Sequence, residues 1–163
     1  MKRLVICGTM AAILPVLAGC SGLLGQSGKQ VAETQTERVQ PPRRGLPPQD
    51  LQAGECGLFL WTRRETPEFI FFSKSGTETA SFWLDKEEHA LSRTGVGGQV
   101  FGQQLTEQFF VMSDGRKVEL EMTPGEMLIS GQRIPETLVR VIDAEGFKTV
   151  IPAAGVTVCQ PSE

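Results

Sequence analysis

Short apolar runs alternate with clusters of turn-forming residues over the last two thirds of the chain. The runs cover 56–61, 68–73, 80–84, 108–112, 117–123, 138–142, 148–151 and 156–159. They are rich in aromatic and β-branched residues, which is typical of β-strands. No longer window has a helical period, and only 87–92 has a pattern compatible with a helical turn. The pattern predicts an all-β domain over 51–163, a small barrel or sandwich of about eight to ten antiparallel strands.

The clearest alternation follows the Asp114-Gly115 pair, a typical β-hairpin turn. From 117 to 123, apolar side chains occupy every second position, and Lys117, Glu119 and Glu121 occupy the positions between them. Successive side chains of a strand point to opposite faces. This segment is therefore predicted to be a strand with one buried face and one solvated face.

The first two predicted strands differ from 117–123, because both of their faces are apolar. One alternating set contains Leu58, Leu60, Ile70 and Phe72. The other set contains Phe59, Trp61, Phe69 and Phe71. Two interpretations remain open: the second face is covered by the preceding segment or a long loop, or it is an exposed aromatic face that binds a partner.

The first twenty residues have the order of an export signal. Lys2 and Arg3 precede an apolar stretch over 4–17 that is too short to span a bilayer. The following Leu17-Ala18-Gly19-Cys20 resembles the lipobox of bacterial lipoprotein precursors. The resemblance implies that 1–19 is a signal peptide, that Cys20 is diacylated on sulfur, and that the lipid holds the protein in a membrane. An ordinary signal peptide is the alternative.

Ser21 follows the cysteine where an Asp retains lipoproteins at the inner membrane of enteric bacteria. The resemblance therefore favours the outer membrane of the cell envelope, with the protein facing the periplasm. Residues 20–50 contain no aromatic residue and are rich in Gly, Pro and Gln, which predicts a disordered tether. The pairs Pro41-Pro42 and Pro47-Pro48 favour a stiff spacer, and recognition of a PxxP type is the alternative.

Charge excludes one class of partner. The chain has 16 Lys and Arg against 19 Asp and Glu, a formal net charge of −3, and no basic run. Such a chain is a poor nucleic-acid binder. We predict a membrane contact through the lipid on Cys20, and no nucleic-acid partner.

Cys56 and Cys159 are the remaining cysteines outside the signal peptide and its lipid site. They lie in the first and last predicted strands, in a compartment where disulfides persist. We expect them to form a disulfide. Two reduced thiols in redox or metal chemistry are the alternative.

Candidate chemistry is sparse. His89 is the single histidine and lies beside Glu87 and Glu88, either as a catalytic or metal cluster or as a solvated turn. The glycine-rich stretch 95–102 lacks the spacing of a phosphate-binding loop and is predicted to form turns or bulges. Glu119 and Glu121 are the carboxylates on which hydrolysis of an envelope polymer would depend, although the alternation places them on the solvent face. We therefore predict no catalytic residue, no metal, no cofactor and no enzyme activity.

A lipobox, a tether and an all-β domain with a cysteine at each end resemble the membrane-bound inhibitors of C-type lysozyme. In that family a loop containing Ser-Gly enters the lysozyme cleft, and the nearest match is Leu91-Ser-Arg-Thr-Gly95. The resemblance implies a binding loop at Ser92, Arg93, Thr94 and Gly95. The chain departs from the family in having no tyrosine and an additional hairpin after Pro124.

Together these features predict a lipid-anchored, non-catalytic envelope protein whose β domain binds a protein or another envelope component. Lysozyme inhibition is the alternative, and carboxylate-dependent hydrolysis is a third.

Overall fold

The computed structural model describes residues 43–162, which form nine β-strands. The strands are β1 (Cys56–Thr62), β2 (Phe69–Lys74), β3 (Thr79–Leu84), β4 (Glu87–Phe101), β5 (Gln104–Met112), β6 (Lys117–Thr123), β7 (Met127–Leu128), β8 (Gly131–Ile142) and β9 (Lys148–Cys159). The all-β prediction and its strand number are confirmed. The predicted signal peptide, lipobox, Cys20 and first proline pair lie outside the described residues.

The sheet closes into an eight-stranded antiparallel barrel. Strands β1 to β6 pair in sequence order, β6 then pairs with β8, β8 with β9, and β9 with β1. The two-residue strand β7 pairs only with β8 and lies outside the ring. Closure removes the free sheet edges that a sandwich would leave, and it decides between the two architectures predicted from the sequence.

Apolar side chains fill the barrel interior. The alternation predicted for 117–123 is confirmed, because Val118, Leu120 and Met122 are buried and the acidic and basic positions between them face outward. The largest fully buried side chains of the core are Phe71, Phe82, Leu58, Leu60, Leu91, Leu120 and Ile134. A barrel of eight strands has an interior that such side chains just fill.

A disulfide joins the first and last strands. Cys56 and Cys159 lie directly opposite each other in the β1–β9 pair, and their sulfurs are bonded across a sequence separation of 103 residues. The residues on either side continue the pairing, with the Gly54 N–H donating to the Gln160 carbonyl at 3.1 Å. The predicted disulfide is confirmed, and it lies at the end of the seam that closes the barrel.

The longest strand was not predicted. Residues 87–92, expected at most to make a helical turn, begin the fifteen-residue strand β4. The prediction that the following glycines form turns or bulges is confirmed, since the β4–β5 register shifts between Gly97 and Val100. Gly98 has a φ of +75°, and a Cβ there would overlap the Thr106 side chain, so this bulge requires glycine.

The last residues of the predicted tether lie against the barrel. Gly45 forms a parallel bridge with Phe69, and the Leu46 N–H donates to the Phe69 carbonyl at 2.7 Å. Leu46 is buried. The expectation that the tether extends to residue 50 is therefore wrong for 43–50, where backbone pairing and burial of Leu46 offset the entropy of ordering the segment.

No helix of the length and apolarity needed to cross a membrane occurs in the part of the chain that the structure describes.

Candidate binding surface

Four aromatic side chains stack on the outside of β1 and β2. Phe72 lies opposite Phe59 and Phe69 opposite Trp61 in the antiparallel register, so all four share one face. The ring centroids of Phe59 and Phe72 are 4.9 Å apart, and those of Trp61 and Phe69 are 5.0 Å apart. Phe59 also stacks on Trp61 at 6.3 Å and on Phe69 at 5.9 Å. We call these four residues the aromatic face.

One member of the sequence-based set is not on this face. Phe71 is 0% exposed, belongs to the core, and packs edge-on against Phe110 with a centroid distance of 5.5 Å. The β1–β2 register shifts between Leu60 and Trp61, which places an extra residue in β2. The bulge reverses the alternation after Phe69, so that Phe72 takes the outer position that the sequence pattern gave to Phe71.

The segment Gly45–Leu51, which we call the strap, crosses the aromatic face. A Cβ at Gly57 would lie 3.0 Å from the Phe59 ring and 3.1 Å from side-chain carbons of both Leu51 and Phe72. The strap and the aromatic rings therefore meet above Gly57, where a larger residue has no room. Phe72 is only 7% exposed as a result, whereas Phe59, Trp61 and Phe69 remain half-buried.

Two surface cavities flank Trp61. The first, about 420 Å³, lies between the strap residues Pro48–Leu51 and the rings of Phe59, Trp61 and Phe69. The second, about 640 Å³, lies on the other side of Trp61, where Pro67, Ala154 and Val156 form an apolar floor. Val156 borders both, because it pairs directly with Phe59 in the β1–β9 register.

Arginines border the second cavity. Arg63, Arg64 and Arg133 line it. Arg63 pairs with Glu136 at 3.1 Å and Arg133 with Glu126 at 2.9 Å, and all four of these side chains are more than half exposed. Such exposed pairs contribute little to stability, and their side chains can exchange partners at a small free-energy cost. The surface thus combines an apolar floor with movable cationic groups.

A carboxylate fixes the end of the strap. Glu55 accepts a hydrogen bond from the Gln52 N–H at 2.8 Å and from the Lys74 ammonium at 2.6 Å. These bonds, the backbone one first, hold the pKa of the Glu55 carboxyl below its ordinary value of 4.5. The ionised form of Glu55 therefore stabilises the turn that joins the strap to β1.

This coupling predicts a pH dependence. Because the folded-state pKa is depressed, Glu55 stabilises the fold above about pH 4.5, and the contribution is lost as the pH falls below that value. Glu55→Gln is expected to lower the denaturation midpoint at pH 7, with the difference from the parent shrinking towards pH 3. Glu65→Gln, in an exposed loop, is the control. A constant difference between pH 7 and pH 3 would contradict the assignment.

The segment predicted to be a binding loop is part of a strand. Ser92, Arg93, Thr94 and Gly95 all lie within β4. The β4–β5 register shifts between Arg93 and Gly95, so Thr94 is a bulge rather than the tip of a loop. Arg93 is held by Glu78, with a guanidinium-to-carboxylate distance of 2.8 Å. The loop assignment is wrong because the polar, glycine-containing sequence is compatible with a bulged strand.

The candidate catalytic groups do not converge. His89 lies in β4 with its Nε2 atom 3.3 Å from the Leu84 carbonyl oxygen. Glu121 is paired with Arg140 at 2.6 Å on the outer surface of β6, and Glu119 lies two residues away on the same face. Within residues 43–162, no three His, Cys, Asp or Glu side chains lie where they could hold a metal ion together.

Sequence reasoning left open whether the preceding segment covers this face, and it missed Phe72 and Val156 as parts of the surface. The apolar residues Leu46 and Leu51, close to a proline pair, were the available signal that this part of the chain packs on the domain. No local signal marks Val156, because its position beside Phe59 arises only when β9 closes the barrel.

Comparison with protein-family models, with curated proteins and with solved structures found no match to this chain.

Proposed function

We propose that this protein is a lipid-anchored, non-catalytic module of the bacterial cell envelope that binds a protein or another envelope component through the aromatic face. The observation that carries the proposal is the stack of Phe59, Trp61 and Phe69, half-buried between two cavities on the outside of a packed barrel. Clustered aromatic side chains beside arginines have the composition of binding hot spots.

The geometry favours binding over a purely structural role. Phe71 and Phe82 already fill the core, so the outer rings are not needed to complete it. Trp61 touches both cavities, and a partner that filled them would bury its remaining surface. Burial of large, rigid rings contributes much of the free energy of association at low entropy cost.

The anchor rests on the sequence alone. Lys2 and Arg3, the apolar stretch and Leu17-Ala18-Gly19-Cys20 stand in the order of a lipoprotein signal. Two acyl chains on one cysteine suffice for stable membrane attachment. Ser21 favours the outer membrane, with the barrel facing the periplasm.

Cys20→Ser is expected to abolish acylation and move the protein from the membrane to the soluble fraction. The reason is chemical, because a serine hydroxyl is a far weaker nucleophile than a thiol. Palmitate labelling and membrane fractionation measure both effects. Cys7→Ser, inside the signal peptide, is the control and should leave labelling unchanged. Equal labelling of Cys20→Ser and the parent would overturn the anchor.

Replacing Trp61 with Ala is expected to abolish binding of the partner. The tagged protein would be crosslinked in intact cells, extracted from envelopes in detergent and recovered, and its crosslinked partners quantified. We expect Trp61→Ala to reduce partner recovery at least about tenfold, as for a hot-spot aromatic residue. Phe147→Ala is the matched control, since Phe147 is an exposed ring at the β8–β9 turn. Equal recovery with both variants would refute the aromatic face.

Lysozyme inhibition is the second candidate function. It is supported by the disulfide between the first and last strands, which is one of the features on which the family resemblance rests. The exposed side chains of Ser92 and Thr94 would provide the contact on β4. A turbidity assay with a C-type lysozyme tests it, and absence of inhibition at micromolar protein would remove this candidate.

A further inference from the structure

One end of the barrel opens into a cavity of about 590 Å³. Ile70, Trp83, Leu84 and Ile151 form its apolar floor. Ile70 is part of the core, and the other three pack against it while remaining partly exposed. The cavity is therefore an extension of the hydrophobic interior towards solvent. It shares Thr62 and Arg64 with the second cavity beside Trp61, but no ring of the aromatic face lines it.

Cationic side chains dominate the rim of this cavity. Arg43, Arg44, Arg64 and Lys86 line it, and none of them has a carboxylate within 4.0 Å among the described residues. The acidic rim residues are Glu68 and Asp85, and Asp85 is already paired with Arg116 at 3.0 Å. A positive rim in a chain of net charge −3 is a local concentration of charge that attracts anions.

The turn that carries Lys86 is fixed in an unusual conformation. Asp85 and Lys86 have φ values of +54° and +68°. These values lie in the left-handed region, which is uncommon for residues other than Gly, Asn and Asp. Arg116 binds both Asp85 and Asp114, so the β3–β4 turn is tied to the neighbouring β5–β6 turn. The ion pairs of Arg116 thus fix the turn that carries Lys86, whereas the cations of the rim keep their charged groups available for a ligand.

Buried side chains fill the opposite end of the barrel. Phe101 is buried in the core there, and Gly102 reaches across to Thr157, where a Cβ would lie 3.5 Å from the hydroxyl oxygen. The buried Gln104 donates a hydrogen bond to Ser75 at 2.7 Å and accepts one from Gln108 at 2.9 Å. A ligand that contacts the core residue Ile70 therefore has access from the open end.

We infer that the open end binds an amphiphilic anion with an alkyl chain. The chain would lie on the apolar floor, and the anionic oxygens of a carboxylate or phosphate would contact the rim guanidinium and ammonium groups. A volume of about 590 Å³ is within the usual range for small-molecule sites. A free fatty acid and the headgroup region of an anionic phospholipid share this chemistry. The inference does not depend on what the aromatic face binds.

Tryptophan fluorescence can test the inference directly. The chain has two tryptophans, Trp61 and Trp83, so Trp61→Phe leaves Trp83 in the floor as the reporter. The full chain, with Cys20→Ser to remove the proposed acylation site, would be titrated with dodecanoate below its micelle concentration. Dodecanol and dodecyltrimethylammonium carry the same alkyl chain with a neutral and a positive headgroup. We expect saturable binding of dodecanoate and at least about tenfold weaker binding of the other two.

Charge-removing variants locate the site. The double variant Arg44→Gln, Lys86→Gln, at two cations that line this cavity and neither of the cavities beside Trp61, is expected to weaken dodecanoate binding at least about tenfold. Arg140→Gln removes one positive charge that pairs with Glu121 on the outer surface and does not line this cavity, so it should leave binding unchanged. Ile151→Asp places a carboxylate in the floor, and it should abolish binding with the strand signal in far-ultraviolet circular dichroism retained. Equal binding of the three amphiphiles, or equal affinity in all variants, would overturn the inference.

Vesicles distinguish the two sources of the anion. Retention on phosphatidylglycerol vesicles, lost on phosphatidylcholine vesicles and displaced by dodecanoate, would assign the site to a lipid headgroup. Dodecanoate binding without vesicle retention would assign it to a free fatty acid. Either result supports the shared chemistry, and absence of both kinds of binding in the folded protein would refute it.

Discussion

Replacing Cys56 with Ser is expected to lower the free energy of unfolding by about 2–5 kcal/mol, the usual effect of losing a native disulfide from a small secreted domain. The bond crosses the seam between β1 and β9, the two strands most distant in sequence. Without it, the unfolded chain regains the freedom of a loop that spans 103 residues. The loss should appear as a lower denaturation midpoint in urea, with the native strand signal retained at low temperature.

The double variant Cys56→Ser, Cys159→Ser provides the control. The cross-link is already lost at the first substitution, so the second should cost little more. Thiol titration of the variant Cys7→Ser, Cys20→Ser under native and denaturing conditions should find neither Cys56 nor Cys159 free. A double variant as stable as the parent would show that the disulfide does not stabilise the fold.

Phe71→Ala is expected to cost about 3–5 kcal/mol, the range for removal of a fully buried phenylalanine ring. The Phe71 ring is 0% exposed and packs on Phe110 in the interior, so its loss leaves a cavity that a closed barrel cannot collapse to fill. The measurement is again the denaturation midpoint, with an unchanged dependence of the unfolding free energy on urea.

Phe59→Ala is the matched comparison for Phe71. Phe59 is half-buried on the outer face, so its removal should cost clearly less than that of Phe71. The pair of variants tests the bulge in β2, because a strand without it would place Phe71 outside. Equal losses of stability, or a larger loss for Phe59, would contradict the register.

The fold class could be predicted because its signals are local. In β6 the side chains alternate one by one, and Asp114-Gly115 marks the turn before it. Gly115, with a φ of +89°, occupies the left-handed conformation that this turn requires. The positions of the two cysteines in the first and last strands, with the compartment expected from the sequence, were enough to pair them.

Strand β4 could not be predicted from local preference, because tertiary pairing overrides it. The strand contains three glycines and few large apolar residues, and its conformation depends on pairing with both β3 and β5. The prediction that Phe71 faces outward was wrong for a similar reason. A one-residue bulge reverses the facing of every residue beyond it, and the sequence alone does not mark its position.

The two candidate binding surfaces depend even more strongly on contacts between residues that are distant in sequence. The strap contacts a strand more than twenty residues away through a backbone hydrogen bond of Leu46, and it does so beside Gly45, where a Cβ would overlap the Phe69 backbone. The cations of the open rim come from three separate segments of the chain, around Arg43, Arg64 and Lys86. Their proximity follows from barrel closure, and therefore it appears only once the fold is known.

The position of β9 also determines when the molecule becomes complete. A chain that emerges from a ribosome or a membrane channel does so amino end first, and each hairpin of this barrel can form as it appears. β1, however, keeps an unpaired edge until residues 148–159 arrive. The same event delivers Cys159 to Cys56, so closure of the ring and formation of the covalent bond coincide. Until then the growing sheet exposes its edge and its apolar lining, and this interval is when the protein is most vulnerable to misassociation.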